Sequence, residues 1–148
     1  MIVELTPWEM LLAAQAGVMR QVENKKLGRR PAYGAGSAQD WQLNIEGALG
    51  EYALAKHLGL YWSGKGKLRA ADVGDVDVRT RSKPHYELIL HDDDPDDRIF
   101  WLLTGVYGRY EVRGWIQGRD GKRPEYWSDP AGGRPAYFVP QSALNRPE

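Results

Sequence analysis

Residues 99–117 constrain the fold of this chain most. Ile99-Phe-Trp-Leu-Leu-Thr-Gly-Val106 is apolar almost throughout. Such a run, too short for a typical helix and rich in aromatic and branched side chains, fits a strand buried in a sheet interior. Tyr110-Glu-Val-Arg-Gly-Trp-Ile-Gln117 then alternates apolar with polar, as a strand does when one face meets a core. A turn at Gly108-Arg109 joins them as a hairpin. The fold must therefore supply layers that cover this hairpin.

The preceding half of the chain supplies helices. Thr6 can cap a helix, Pro7 suits its first position and Glu9 completes a capping box. Leu11, Leu12, Val18, Met19 and Val22 carry the apolar spacing to about Asn24. A basic loop follows over 25–37, with Lys25, Lys26, Arg29 and Arg30 around Pro31 and Tyr33. A second helix runs from about Ala38 to Leu58. Trp41, Ile45, Ala48, Leu49 and Tyr52 form its stripe, and Gly59 sits where a helix stops. Residues 61–71 form a Gly/Lys-rich loop bearing Lys65, Lys67 and Arg69. Strands are expected over Val73–Arg81 and His85–His91, separated from the hairpin by the acidic turn Asp92–Asp97. That acidic block reads as a solvated turn facing away from any bound nucleic acid. From Gly118 the tail is rich in Gly and Pro, with one short apolar run, Ala136–Val139, read as an edge strand before Pro140. Helices followed by strands give an α+β class, with helices packed on a mixed β-sheet in one domain spanning 1–148.

Composition narrows the function classes. The chain has 148 residues, no Cys, and 20 basic against 20 acidic side chains. Thiolate metal sites and disulfides are excluded, and the absence of Cys fits a reducing cytoplasm. No apolar run approaches a membrane span, and no secretory leader is evident. With net charge zero, only local clusters can argue for a polyanion partner. The three histidines, His57, His85 and His91, show no metal-pair spacing.

Two motifs carry chemistry. The first is Gly47-Ala-Leu-Gly-Glu51-Tyr-Ala-Leu-Ala. In a helix Glu51 neighbours Gly47, Ala48, Leu54 and Ala55, a small apolar face on which a carboxylate needs a cation or donors. A salt bridge to an Arg and a functional role fit equally well. Gly47 and Gly50 weaken a helix, which implies a close approach there. Glu46 lies where it can lean to solvent. The second motif is Asp72-Val-Gly-Asp-Val-Asp-Val-Arg-Thr-Arg81. Alternation puts Val76, Val78 and Thr80 on one strand face, and Asp75, Asp77, Arg79 and Arg81 on the other. Asp72 is out of phase, but a bulge at Gly74 would turn it to the same side. Such carboxylates suit Mg²⁺, which takes one or two of them with water and phosphate oxygens. A half-exposed strand with ordinary ion pairs gives the same pattern.

Together, Gly47-x-x-Gly50-Glu51-x-x-Ala-x-x-x-Leu58 and Val76-Asp-Val-Arg-Thr-Arg81 resemble the PD-(D/E)XK nuclease superfamily over about residues 44–117. The helix is similar to that of the Holliday-junction-resolvase-like branch. The short gap from Asp72 to Asp77 is similar to the nicking endonucleases of mismatch repair. The resemblance implies a restriction-endonuclease-like αβββαβ core, with Glu51 as the helix acid and Asp72 or Asp75 as the first metal ligand. Asp77 would be the second ligand, and Arg79 would stand where the family has Lys. It further implies Mg²⁺ or Mn²⁺ as cofactor and DNA as substrate, cleaved as an endonuclease. Lys25, Lys26, Arg29, Arg30, Lys65, Lys67 and Arg81 are the candidate phosphate contacts, and a homodimer fits the compact length.

Arginine stays protonated and cannot be a general base. Arg79 therefore departs from the family pattern, and Lys83 is the other candidate cation. An inactive nuclease fold used for nucleic-acid binding or assembly, or a phage or mobile-element accessory of unrelated α+β fold, are the rival expectations.

Overall fold

The computed structural model describes residues 1–28, 39–65 and 70–147. Arg29, Arg30, Tyr33, Lys67 and Arg69 lie outside the described residues. Strand β1 (Ile2–Glu4) leads to α1 (Pro7–Lys26) and α2 (Asp40–Leu58). Then come β2 (Val76–Arg81), β3 (Leu88–Leu90), β4 (Ile99–Val106), β5 (Arg109–Gln117), the short α3 (Gly118–Gly121), β6 (Trp127–Ser128) and β7 (Ala136–Val139). A mixed sheet has the order β1-β5-β4-β2, with β2 parallel to β4 and the other pairs antiparallel. A smaller antiparallel sheet has the order β3-β7-β6. The class is α+β.

Strand β4 divides two cores. Trp101 and Leu103 face the helices, with Val78, Tyr110, Val112, Leu49 and Leu54. Phe100 and Leu102 face the small sheet, with Leu88, Leu90, Ile116 and Val139. Both faces of the central sheet are thus covered, as the unbroken apolar run of β4 requires.

The local signals behave as their chemistry dictates. Thr6 and Glu9 form the reciprocal capping box with Pro7 in the first turn. Gly59 ends α2 at φ 68, the left-handed value that glycine reaches without strain. The hairpin turns at Tyr107-Gly108, one residue before the expected position. Tyr107 takes a positive φ of 56 to make it, since two-residue turns need left-handed backbone to match strand twist.

Several expectations fail, for identifiable reasons. Leu11, Leu12, Val18 and Met19 are exposed, and α1 instead buries Ala13, Gly17 and Gln21. The reason is close approach. A Cβ on Gly17 would lie 2.6 Å from the Ile45 Cα and 2.7 Å from the Asn44 carbonyl oxygen. Backbone-to-backbone contact selects the small face of α1, and the large side chains are left outside. Trp41, expected in the α2 stripe, is exposed. Gly50 does admit a close neighbour, the Thr80 side chain, whereas nothing crowds Gly47. Strand β7 is the central strand of its sheet rather than an edge. Strand β2 starts at Val76, because Val73–Val76 form a turn.

Gly17→Ala is expected to lower stability by about 1–3 kcal/mol despite alanine's better helix propensity, because the backbone contact cannot yield. Urea unfolding of the two proteins side by side tests this. Equal midpoints would mean that the helices can part without loss.

Candidate functional site: an acid cluster where α2 meets β2

Glu51 and Asp77, 26 residues apart, are buried at 8% and 7% exposure. Each is compensated differently. Arg20 grips Glu51 with both guanidinium nitrogens, Nη1 to Oε2 at 2.6 Å and Nη2 to Oε1 at 2.8 Å. Trp62 Nε1 donates to Oε1 at 3.1 Å. Arg20 also donates to the Gly64 carbonyl, which ties the loop after α2 to α1. A two-point guanidinium grip is among the stronger ion pairs a protein makes. Glu46, by contrast, does not lean to solvent: it accepts from the Tyr110 hydroxyl at 2.8 Å.

Asp72 reaches the cluster through a turn, not the bulge expected from the sequence. The Val73 and Val76 backbones exchange hydrogen bonds of 3.0 and 2.9 Å. Gly74 sits between them at φ 56, which a two-residue hairpin turn demands. The chain doubles back, so the Asp72 N–H donates to Asp77 Oδ1 at 3.1 Å and Asp72 Oδ2 accepts from the Val78 N–H at 3.0 Å. Asp75 is left exposed at the turn tip. Of the two rivals, Asp72 is therefore the one beside Asp77.

The electrostatics follow. Burial, then the Glu51 charge, then the Asp77 charge push the Asp72 carboxyl up to about 7, against partial relief from the Val78 N–H and Arg79. Three acids from α2, the turn and β2 therefore act on one another. Burial and like charge are the two causes that raise a carboxyl pKa, and such clusters are enriched at functional sites.

The cations are distributed unexpectedly. The β2 face bearing Asp77, Arg79 and Arg81 is not half-exposed, because the small sheet covers it. Arg79 Nη2 pairs with both oxygens of Asp94 at 3.0 Å, its Nε donates to the Ile89 carbonyl at 3.2 Å, and its guanidinium lies 4.9 Å from the Phe100 ring centre. Arg81 donates to the Glu87 carbonyl at 3.0 Å and lies 4.2 Å from the Tyr86 ring centre. Arg79 thus donates to a β3 carbonyl and Arg81 to the carbonyl just before β3, and the two clamp the sheets together. The planar guanidinium fork serves this purpose and a lysine ammonium would not, which gives a structural reason for arginine at position 79. Arg98, just after the acidic turn, contacts Asp77 Oδ2 at 3.4 Å. Nor does that turn face wholly away: Asp94 reaches back to Arg79, while Lys122 Nζ holds Asp96 at 2.8 Å and also binds the Asp94 carbonyl.

Of the remaining candidates, Lys25, Lys26 and Lys65 are exposed on the described surface, and Lys83 is exposed in the β2–β3 connection. His57 meets the Pro147 carbonyl at 3.2 Å and the edge of Trp101. Trp101 is buried, Trp115 packs against the same core and Trp127 stacks edge-on with Tyr137. The sequence reading missed Arg20 and Arg98, offered Trp62 only as an aromatic that could stack on bases, and gave Asp94 to a solvated turn. The demand for a cation on an apolar helix face foretold Arg20 in kind but not in position.

The fold and site define an α+β protein with a buried, partly compensated acid cluster. Comparison with protein-family models, curated proteins and solved structures returns no match. No helix among the described residues is long and apolar enough to cross a membrane.

Proposed function

We propose that this chain is a metal-dependent DNA endonuclease of the PD-(D/E)XK type, with Asp72 and Asp77 as the ligand pair for Mg²⁺ or Mn²⁺. The observation that carries this reading is the position of Asp72, raised to about 7 between Glu51 and Asp77. A divalent cation relieves that repulsion directly. Among the described residues no group of three or more His, Asp and Glu side chains is arranged to hold a metal. Glu51 is taken by Arg20 and Trp62. The pair Asp72–Asp77 still fits Mg²⁺, which needs only one or two carboxylates and completes its shell with water and phosphate oxygens.

On this reading α2, β2, β4 and β5 belong to the restriction-endonuclease-like core. The helix after β5 is reduced to Gly118–Gly121, and β6 and β7 join β3 instead. A bound cation would polarise the phosphodiester and favour ionisation of a water. The chain's own residues position the ligands. The Asp72 N–H and Arg98 contact the two oxygens of Asp77, and the Val78 N–H orients Asp72. Arg20 pairs with both oxygens of Glu51. Arg98 is the guanidinium beside the ligand pair, whereas Arg79 serves the sheet clamp. Lys25, Lys26 and Lys65 would contribute phosphate contacts.

With Mg²⁺ or Mn²⁺, the protein should nick or cut supercoiled, branched or single-stranded DNA, and Asp77→Ala should reduce the rate at least about 100-fold. Gel assays over the three substrates test this. Cleavage that Asp77→Ala leaves intact would assign the chemistry elsewhere. A second reading, an inactive nuclease fold that binds nucleic acid, is favoured by one observation: Arg79, in the family's lysine position, is committed to Asp94. Salt-dependent DNA binding without turnover in Mn²⁺ would establish that reading over the first.

A further inference from the structure

Helix α1 carries apolar side chains on both of its sides. Ala13, Gly17 and Gln21, with Met10, face α2. On the opposite side, Trp8 is 75% exposed, Leu11 48%, Leu12 53% and Met19 57%. At 100° per residue these four, with Gln15, Val22 and Lys26, form one stripe along the outer side of the helix. A surface helix normally presents polar residues there, and a helix apolar all round is normally covered all round.

We propose that this stripe is a homodimer interface, α1 packing antiparallel on the same helix of a second copy about a two-fold axis through Gln15. Three features select a second copy as the occupant. First, the stripe is self-complementary when reversed. With Gln15 facing itself, Leu11 meets Met19, Trp8 meets Val22, and the two Gln15 amides can donate and accept reciprocally, as an isologous contact requires. Second, positive charge is confined to one end of the stripe. Lys25 and Lys26 fill the last turn of the helix. Antiparallel pairing keeps the lysines of the two copies apart, while parallel pairing would set lysine against lysine. Third, the exposed apolar side chains amount to roughly 500 Å² per chain. With a polar rim that approaches the ~800 Å² per partner typical of stable pairs.

Sedimentation velocity across the micromolar range should show twice the 16.7 kDa chain mass. Leu11→Glu combined with Met19→Glu should weaken association at least about 100-fold. Both positions are exposed in the monomer, so helical circular dichroism should be unchanged. The chain has no cysteine, which permits a geometric test. Gln15→Cys should oxidise to a disulfide-linked dimer. Lys26→Cys should not link to itself, because its mate lies about 33 Å away along the antiparallel pair. The proposal is overturned by a monomer at every concentration, including one that partitions onto anionic phospholipid vesicles instead. A dimer untouched by the double glutamate variant, or one that Lys26→Cys cross-links as readily as Gln15→Cys, also overturns it.

Discussion

Arg20→Ala should destabilise the fold by about 3–5 kcal/mol, the largest loss expected from a single charged residue in this chain. The reason is asymmetric. With Arg20 gone, Glu51 remains at 8% exposure with the Trp62 indole as its remaining side-chain donor among the described residues. An unpaired buried carboxylate carries its full desolvation penalty. Removing both members should cost much less: Arg20→Met combined with Glu51→Leu replaces the pair by apolar groups of similar volume. Chemical unfolding of the two singles and the double gives the coupling. If Arg20→Ala costs less than about 1 kcal/mol, water reaches Glu51 and the pair behaves as a surface bridge.

Asp72→Asn should do the opposite to stability, and under the proposed endonuclease function it should abolish metal-dependent cleavage. The sign follows from the carboxyl, which moves from an ordinary value of 3.8 in the unfolded chain up to about 7 in the fold. Below the unfolded value both states hold the proton, and Asp72 brings no penalty. As pH rises from about 4 to 7, the unfolded chain ionises first and folding becomes less favourable. Above 7 the penalty is complete. About three pH units correspond to a ceiling of about 4 kcal/mol, and solvent access to the half-buried side chain brings the expected gain of Asp72→Asn at pH 8 to about 1–2 kcal/mol. Thermal melts of both proteins at pH 4 and pH 8, without divalent cations, decide it. The curves should coincide at the lower pH and separate at the higher one. A variant no more stable than its parent at pH 8 would show that Asp72 is not crowded by Glu51 and Asp77. Stability gained while activity is lost is characteristic of functional rather than structural carboxylates.

The parts of this fold legible in the sequence are those whose physics is local. The capping box at Thr6 and the stop at Gly59 depend on neighbouring residues, and β4 announces itself by an unbroken apolar run. The face of α1 did not, because hydrophobicity favours the largest side chains as the buried ones. Here Gly17 and Ala13 win, since what they admit is another backbone. The acids were legible as types, with Glu51 out of place on its helix and Asp77 in phase with its strand. Their partners were not. Arg20 lies 31 residues before Glu51 and Arg98 lies 21 after Asp77, separations at which no periodicity operates. Arg79 was misjudged because its strand face appeared half-exposed. Its cover comes from Ile89 in β3 and from Asp94 of the acidic turn, which the sequence assigns to solvent.

The turn at Gly74 separates what is assembled early from what is assembled late. Asp72 and Asp77 are five residues apart, so closing their loop removes little chain entropy. Loops of this size close within about 10–100 ns. The Arg20–Glu51 pair requires two helices to dock. The carboxylate pair can therefore exist in a partly folded chain. What the helices add is the negative charge of Glu51 and the exclusion of water, which together raise the cost of holding both carboxylates ionised.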